Sequence, residues 1–382
     1  MKKALFVSYN HNNDYVADSI QNHRLIDGLK KYVEIDVLCR VKNKTNSNLE
    51  IYSSNLYFID RGLYKLFPFL ISTFSIDRSI WCLITYFKIR KSLSKYSEVV
   101  FTFEPYNIWL LFILICNHLN LKVTTIIYDP YVDNIFLSKN PIGIYIRRKI
   151  EKIIVKRSHL IIANNERLYK TFQKRYPEVL IKQLPLCGKP PFDINFQNTN
   201  KVKKRIIHAG NIYGMRRIDE LNNVVTLIKQ QIHNLSTYLE IELYGKYCVG
   251  YEKVIESNNC DVIVNKGILP ANKLHEEILQ ADALLLLDPM DTNNFCFPSK
   301  LCEYFQYKKP IFGIAGKQTP SYDFINKSGY ICCDGKELDV LADSIISLIR
   351  NQYINRVDVE QFALEFDPNR IAFNLYTYME EI

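Results

Sequence analysis

The apolar run Ala283 to Leu287, ALLLL, with the later stretch Phe297 to Gly313, FPSKLCEYFQYKKPIFG, constrains this chain more than any other feature. A short, bounded apolar run predicts a buried parallel strand. Pro298 and Ser299 then read as a helix start, since proline suits the first turn and serine can cap free amides. A helix from there sets Ser299, Lys300 and Glu303 on one face and turns Leu301, Tyr304 and Phe305 toward a core. Free amides and the helix dipole suit a diphosphate, and a carboxylate one turn further on accepts hydrogen bonds from a sugar diol. That combination suits a nucleoside diphosphate sugar. The same pattern also describes an ordinary amphipathic helix ended by Lys308, Lys309 and Pro310, with Glu303 on a solvated face.

The segment resembles the donor-site signature of GT-B glycosyltransferases. The likeness is greatest to the large retaining, glycosyltransferase family 4-like group that includes bacterial polysaccharide and lipopolysaccharide enzymes. There Pro-Ser-Lys-Leu-x-Glu-Tyr leads into Lys-Pro-Ile; here Pro298, Ser299, Lys300, Leu301, Glu303 and Tyr304 precede Lys309, Pro310 and Ile311. A second stretch, Gly210-Asn211-Ile212-Tyr213-Gly214-Met215-Arg216, follows the strand-like Arg205 to Ala209. Glycines between strand and helix let backbone approach a phosphate, and an arginine there neutralises leaving-group charge. It resembles the GT-B donor loop Gly-x-(Leu/Ile)-Tyr-Gly-x-Arg.

The resemblance implies an α/β GT-B fold: two Rossmann-like doubly wound domains facing each other across a cleft, with donor bound by the second and acceptor by the first. It implies donor contacts from Gly210, Gly214, Arg216, Gly267, Ile268, Pro298, Ser299, Lys300, Leu301 and Glu303. Arg216 and Lys300 stabilise the leaving diphosphate, and Glu303 holds the ribose hydroxyls. Similar enzymes need no divalent ion, and no acidic pair of metal-binding type stands out, so metal-independent transfer with no cofactor beyond the donor is expected. One departure matters: the retaining family commonly carries two glutamates eight positions apart, and where Glu303 matches the second, Phe295 occupies the first. Asp291, Asn293 or Asn294 is then left to contact the donor sugar, and the stereochemical outcome stays open.

A chain of 382 residues exceeds what one core usually fills. The Pro/Gly-rich, aperiodic stretch Leu184 to Asp193 places a linker at 186–202, between an N-terminal domain at 1–185 and a C-terminal domain at 203–366, with a final helix at 367–382 expected to return to the N-domain. Residues 1–185 hold 28 Lys+Arg against 15 Asp+Glu, so the +9 net charge sits in the N-terminal half. A basic half implies anionic partners. No RNA- or DNA-binding motif is present, which leaves acidic lipid headgroups or a pyrophosphate-bearing acceptor. No apolar run reaches the ~18 residues of a membrane-spanning helix, so membrane contact is expected to be peripheral. The ten cysteines are scattered without CxxC spacing, and Met1 to Tyr9 reads as a first strand instead of a secretory signal, so reduced thiols in a cytoplasmic protein are expected.

Within the N-terminal half, the polar residues His11, Asn12, Asn13 and Asp14 follow the first strand and suit either a cleft lining or a solvated loop. Glu34 to Cys39 reads as the second strand, Ser54 to Ile59 as a short third, and Tyr176 to Leu186 as the last. Asp129 and Glu104 each follow a strand and precede a proline. By analogy with GT-B enzymes, Asp129 first and Glu104 second are candidates for acceptor contact or for the base; capping a following helix is the alternative. Residues 61–96 and Ile142 to Arg157 are rich in aromatic and basic residues, as a membrane-surface patch or as core aromatics with an outer lysine face. The reading that follows is transfer of a sugar to a glycan or polyprenyl-linked acceptor in capsule, O-antigen or exopolysaccharide assembly, at the inner face of the cell membrane. A sugar-nucleotide 2-epimerase and a non-catalytic membrane- or anion-binding protein are the alternatives.

Overall fold

Apolar runs such as Leu5-Phe6-Val7 and Ala283 to Leu287 are buried on both faces, which is the condition of parallel strands covered by helices on either side. A computed structural model describes residues 2–11, 17–41, 49–53, 55–70, 73–102, 106–117, 121–190, 201–353 and 359–382. The chain divides into two compact units, Met1–Gly188 with Phe295–Phe297 and Phe366–Ile382, and Lys189–Asn294 with Pro298–Glu365.

The first unit holds β1 Lys3–Val7, β2 Glu34–Val41, β3 Glu50–Tyr52, β4 Glu98–Thr102, β5 Lys122–Ile127, β6 Leu160–Ala163 and β7 Ile181–Gln183. They form one parallel sheet in the order β3-β2-β1-β4-β5-β6-β7. Val7 pairs with Leu38 on one side and Phe101 on the other, so the strand order reverses at β1. Such reversals open a crevice at the carboxyl ends of the strands. One face of this sheet is covered by helices Ala17–Leu29 and Pro368–Glu380, which pack closely at Gly28 and Ala372. The C-terminal helix therefore belongs to the first unit.

The strand expected over Ser54 to Ile59 is not formed by the described residues of that stretch. The strand is Glu50–Tyr52, and Tyr57–Leu66 is a helix. Only Asp60 of that helix is buried, and its carboxylate accepts from Ser75 Oγ at 2.6 Å and Ile76 N at 2.8 Å. A carboxylate fixed by the next helix start, a tertiary contact, overrides the local β-propensity. The last strand is likewise shorter than Tyr176 to Leu186. The aromatic segment 61–96 splits: Trp81 is core and donates to Ile51 O, while Leu66, Phe67 and Phe87 are exposed, as is Phe58 just before it.

The second unit contains β8 Lys204–Ala209, β9 Leu239–Tyr244, β10 Ile263–Gly267, β11 Ala283–Leu287, β12 Ile311–Ile314 and β13 Ile331–Cys333, all parallel in the order β10-β9-β8-β11-β12-β13. This is the doubly wound order, and its reversal lies between β8 and β11. Its core gathers Ile206, Ile241, Leu285 and Phe312 with the buried faces of helices Asp219–Gln231 and Leu338–Ile349.

Candidate functional site

The reversal point of the second sheet carries several of the groups singled out by sequence, Gly210, Arg216 and Lys300 among them. β8 ends at His208 and Ala209, and Gly210 follows with φ +129°. β11 ends at Leu287, and Asp288 follows. Helix Ser299–Gln306 starts beside both, with Leu301, Tyr304 and Phe305 buried and Ser299, Lys300 and Glu303 only partly so. Its start differs from expectation: Pro298 is the N-cap, with extended backbone, Ser299 is the first helical residue, and no side chain caps the end. With Ser299 as the first helical residue, the amides of Ser299 and Lys300 lie in the first turn and have no intrahelical carbonyl to bond. They are available to an anion.

Lys300 is aimed across the strand end. Its Nζ lies 3.3 Å from His208 Nε2. His208 Nδ1 is 3.0 Å from Leu285 O, which can only accept, so Nδ1 carries the ring proton and Nε2 accepts a hydrogen bond from Lys300 Nζ. Burial, then the Lys300 charge, holds the His208 pKa well below its ordinary value, so the ring is a neutral acceptor. Burial first and Arg216 second push the Lys300 ammonium down to about 7. A Cβ at position 210 would stand 2.6 Å from Lys300 Nζ, so only glycine admits the lysine tip.

Arg216 is held by Asp288, with Nε 3.2 Å from Oδ1. The other carboxylate oxygen accepts from Ser321 Oγ at 2.6 Å and Asn294 Nδ2 at 3.2 Å. Burial raises the Asp288 pKa, and the Arg216 charge opposes that rise. Tyr304 ties the layers together: its hydroxyl accepts from Ala209 N at 2.8 Å and donates to Leu285 O at 3.2 Å. Sequence reasoning missed His208, Asp288 and Ser321, although two of these stand at strand ends, where the doubly wound order places ligand-binding groups.

Of the remaining predicted residues, Gly214 has φ +63° in the loop before Arg216. Gly267 ends β10 with φ +71° and open space at its Cα, and Ile268 after it is exposed. These two lie at the end of a strand two places from β8. Phe295 belongs to the first unit, where Arg167 stacks on its ring at 4.2 Å and Asn165 donates to its carbonyl. Of its substitutes, Asn294 is committed to Asp288, and Asp291 accepts from Asn293. Asp129 follows β5 half-buried, its backbone carbonyl accepting from Tyr106 Oη at 2.6 Å. Asp129 and the donor-loop residues are in different units. Glu104, Asn12, Asn13 and Asp14 lie outside the described residues. Among the described residues, no group of three His, Cys, Asp or Glu side chains is arranged to hold a metal.

Comparison with solved structures decides the fold. Sucrose-phosphate synthase from Thermosynechococcus elongatus superposes with a TM-score of 0.69 at 12% identity, over 100% of this chain and 99% of that one. The UDP-forming α,α-trehalose-phosphate synthase from Burkholderia vietnamiensis gives 0.68 at 7% identity, over 100% of both chains. The chain has the GT-B glycosyltransferase fold. A third GT-B structure, the lipopolysaccharide outer core galactosyltransferase WaaB in its apo form, gives 0.59 at 12% identity, over 100% of this chain and 99% of that one. No protein-family profile matches the sequence, and no curated protein matches it.

Proposed function

We propose that this GT-B chain is a glycosyltransferase that moves a hexosyl group from a nucleoside diphosphate sugar to a hydroxyl. The observation that carries the reading is the convergence of Lys300, Arg216 and the uncapped start of helix Ser299–Gln306 at one strand reversal. When the sugar–phosphate bond breaks, charge develops on the diphosphate, and preorganised cations and amides stabilise the transition state most where that charge appears. Lys300 is fixed by His208 and Arg216 by Asp288, so neither has to reorganise during reaction. Glu303 accepts from the ribose hydroxyls one turn along the helix. Side-chain cations neutralise the leaving group, so transfer runs without a divalent ion. The similarity to sucrose- and trehalose-phosphate synthases supports a nucleotide-sugar donor.

The second unit takes the donor, the first takes the acceptor, and Asp129 at the end of β5 serves as base for the acceptor hydroxyl. A lipid-linked glycan acceptor in surface polysaccharide assembly fits the basic first unit and its exposed Phe58, Leu66 and Phe87, which suit peripheral contact with an anionic inner leaflet. Among the described residues no helix is long and apolar enough to cross a membrane. The test is a thermal-shift screen of UDP, GDP, CMP and their sugar conjugates without metal, on wild type and Glu303→Ala. A ligand at ~100 times its dissociation constant adds ~2.7 kcal/mol to the native state. One nucleotide that shifts wild type and loses its effect in the variant supports the reading, and no shift with any nucleotide sinks it.

A further inference from the structure

Arg147 lies in the middle of helix Pro141–Arg157 in the first unit and is 1% exposed. Among the described residues its guanidinium has a single hydrogen bond, from Nη2 to Ser138 O at 2.6 Å, and both Nε and Nη1 are buried without an acceptor. The helix partner four residues on, Glu151, is the natural mate for an arginine at this spacing. It is committed elsewhere, accepting from Arg175 Nη1 at 2.6 Å, Tyr176 Oη at 3.0 Å and Val132 N at 3.2 Å. The same helix carries Arg148, Lys149, Lys152, Lys156 and Arg157, with Glu151 its one acid. A buried cation with unused donors is the costliest kind of polar burial, and proteins seldom retain one without an anion to satisfy it.

We infer that Arg147 is the cationic floor of a binding site for a phosphoryl group in the first unit. A phosphoryl group offers several acceptor oxygens and a charge of about −1.5 to −2 at neutral pH as a monoester, enough to satisfy donors that fan out within the guanidinium plane. Residues 128–140, between β5 and the helix, contain neither strand nor helix. Entry from this side breaks no sheet pairing, though it displaces contacts of the connection such as Ser138 O with Arg147 and Asp133 with Arg175. The connection includes Asp129 and is braced by Tyr106, which stacks on Tyr131 at 4.3 Å and donates to Asp129 O. A phosphoryl group at Arg147 thus sits against the segment that carries the candidate base. The inference stands apart from the transferase reading, because it depends on no residue of the second unit.

The test titrates inorganic phosphate into the full-length protein in phosphate-free buffer, for wild type, Arg147→Met, Arg147→Lys and the double variant Arg216→Gln/Lys300→Met. Phosphate affinity is expected to fall at least tenfold in Arg147→Met, to fall less in Arg147→Lys, and to persist in the double variant, which separates this site from the nucleotide site. Flotation with vesicles of phosphatidylcholine, alone or with phosphatidylglycerol, distinguishes the source. Binding to the anionic vesicles that is lost with Arg147 assigns a lipid headgroup; binding unaffected by Arg147 assigns a soluble phosphate. Equal phosphate affinity in wild type and Arg147→Met, or no phosphate binding by wild type, overturns the inference. Arg147→Lys carries the same comparison if the methionine variant does not fold.

Discussion

Lys300 Nζ and His208 Nε2 are 3.3 Å apart, and the proton on His208 Nδ1, held by Leu285 O, makes the imidazole an acceptor for the lysine. A neutral histidine thus aims a cation without competing with it for an anion. His208→Phe keeps the volume roughly but removes the acceptor. Nucleotide affinity is expected to fall about tenfold, a loss of about 1.4 kcal/mol, read by calorimetric titration. An unchanged affinity would show that Lys300 is placed by its own helix alone.

The pH dependence follows from the same pair. With its pKa pushed down to about 7 by burial and by Arg216, Lys300 is charged below that pH and neutral above it in the free protein. Diphosphate binding favours the charged form, so affinity is expected to weaken as pH rises from 6 to 8, with proton uptake on binding near pH 7. Lys300→Arg, whose group stays charged, should flatten that dependence. The unfolded lysine titrates near 10.5, so between about 7 and 10.5 the unfolded state binds more protons and this group makes stability rise with pH.

Gly210→Ala tests the close approach. The residue sits at φ +129°, and the added methyl would meet Lys300 Nζ at 2.6 Å. Backbone strain of this kind costs about 1–3 kcal/mol, while the lysine tip is displaced at little further cost. Melting temperature and nucleotide affinity should both fall, and Gly210→Ala combined with Lys300→Met should lose little further affinity beyond Lys300→Met alone.

Asp288→Ala removes the acceptor of Arg216, Ser321 and Asn294 together. Each buried donor left unsatisfied costs about 1–3 kcal/mol. Chemical denaturation should report the loss, and Asp288→Asn, which retains an acceptor oxygen, should recover part of the stability but not the nucleotide affinity.

Gly28→Leu addresses the C-terminal helix. Even a Cβ there would lie 2.6 Å from Ala372 Cβ and 2.9 Å from Pro368 O. Overpacking of a tight helix pair costs about 1–3 kcal/mol, and limited proteolysis should release residues 368–382 earlier than in wild type.

Most strands of the two sheets were legible from the chain because parallel strands buried on both faces leave unbroken apolar runs, as at Ala283 to Leu287 and Leu160 to Ala163; the short edge strands Glu50–Tyr52 and Ile331–Cys333 were not. The loop at Gly210 and the helix at Ser299 were legible because glycine, proline and serine have local backbone roles that hold wherever the chain folds. Asp60, His208, Asp288 and Arg147 were not. Their roles depend on which residue from a distant part of the chain meets them: Ser75 for Asp60, Lys300 for His208, Arg216 for Asp288, and for Arg147 the loss of Glu151, which Arg175 has taken. Local sequence determines backbone periodicity and turn chemistry. Only the tertiary structure decides which buried polar groups find partners, because desolvation and pairing are properties of the packed neighbourhood and not of the residue.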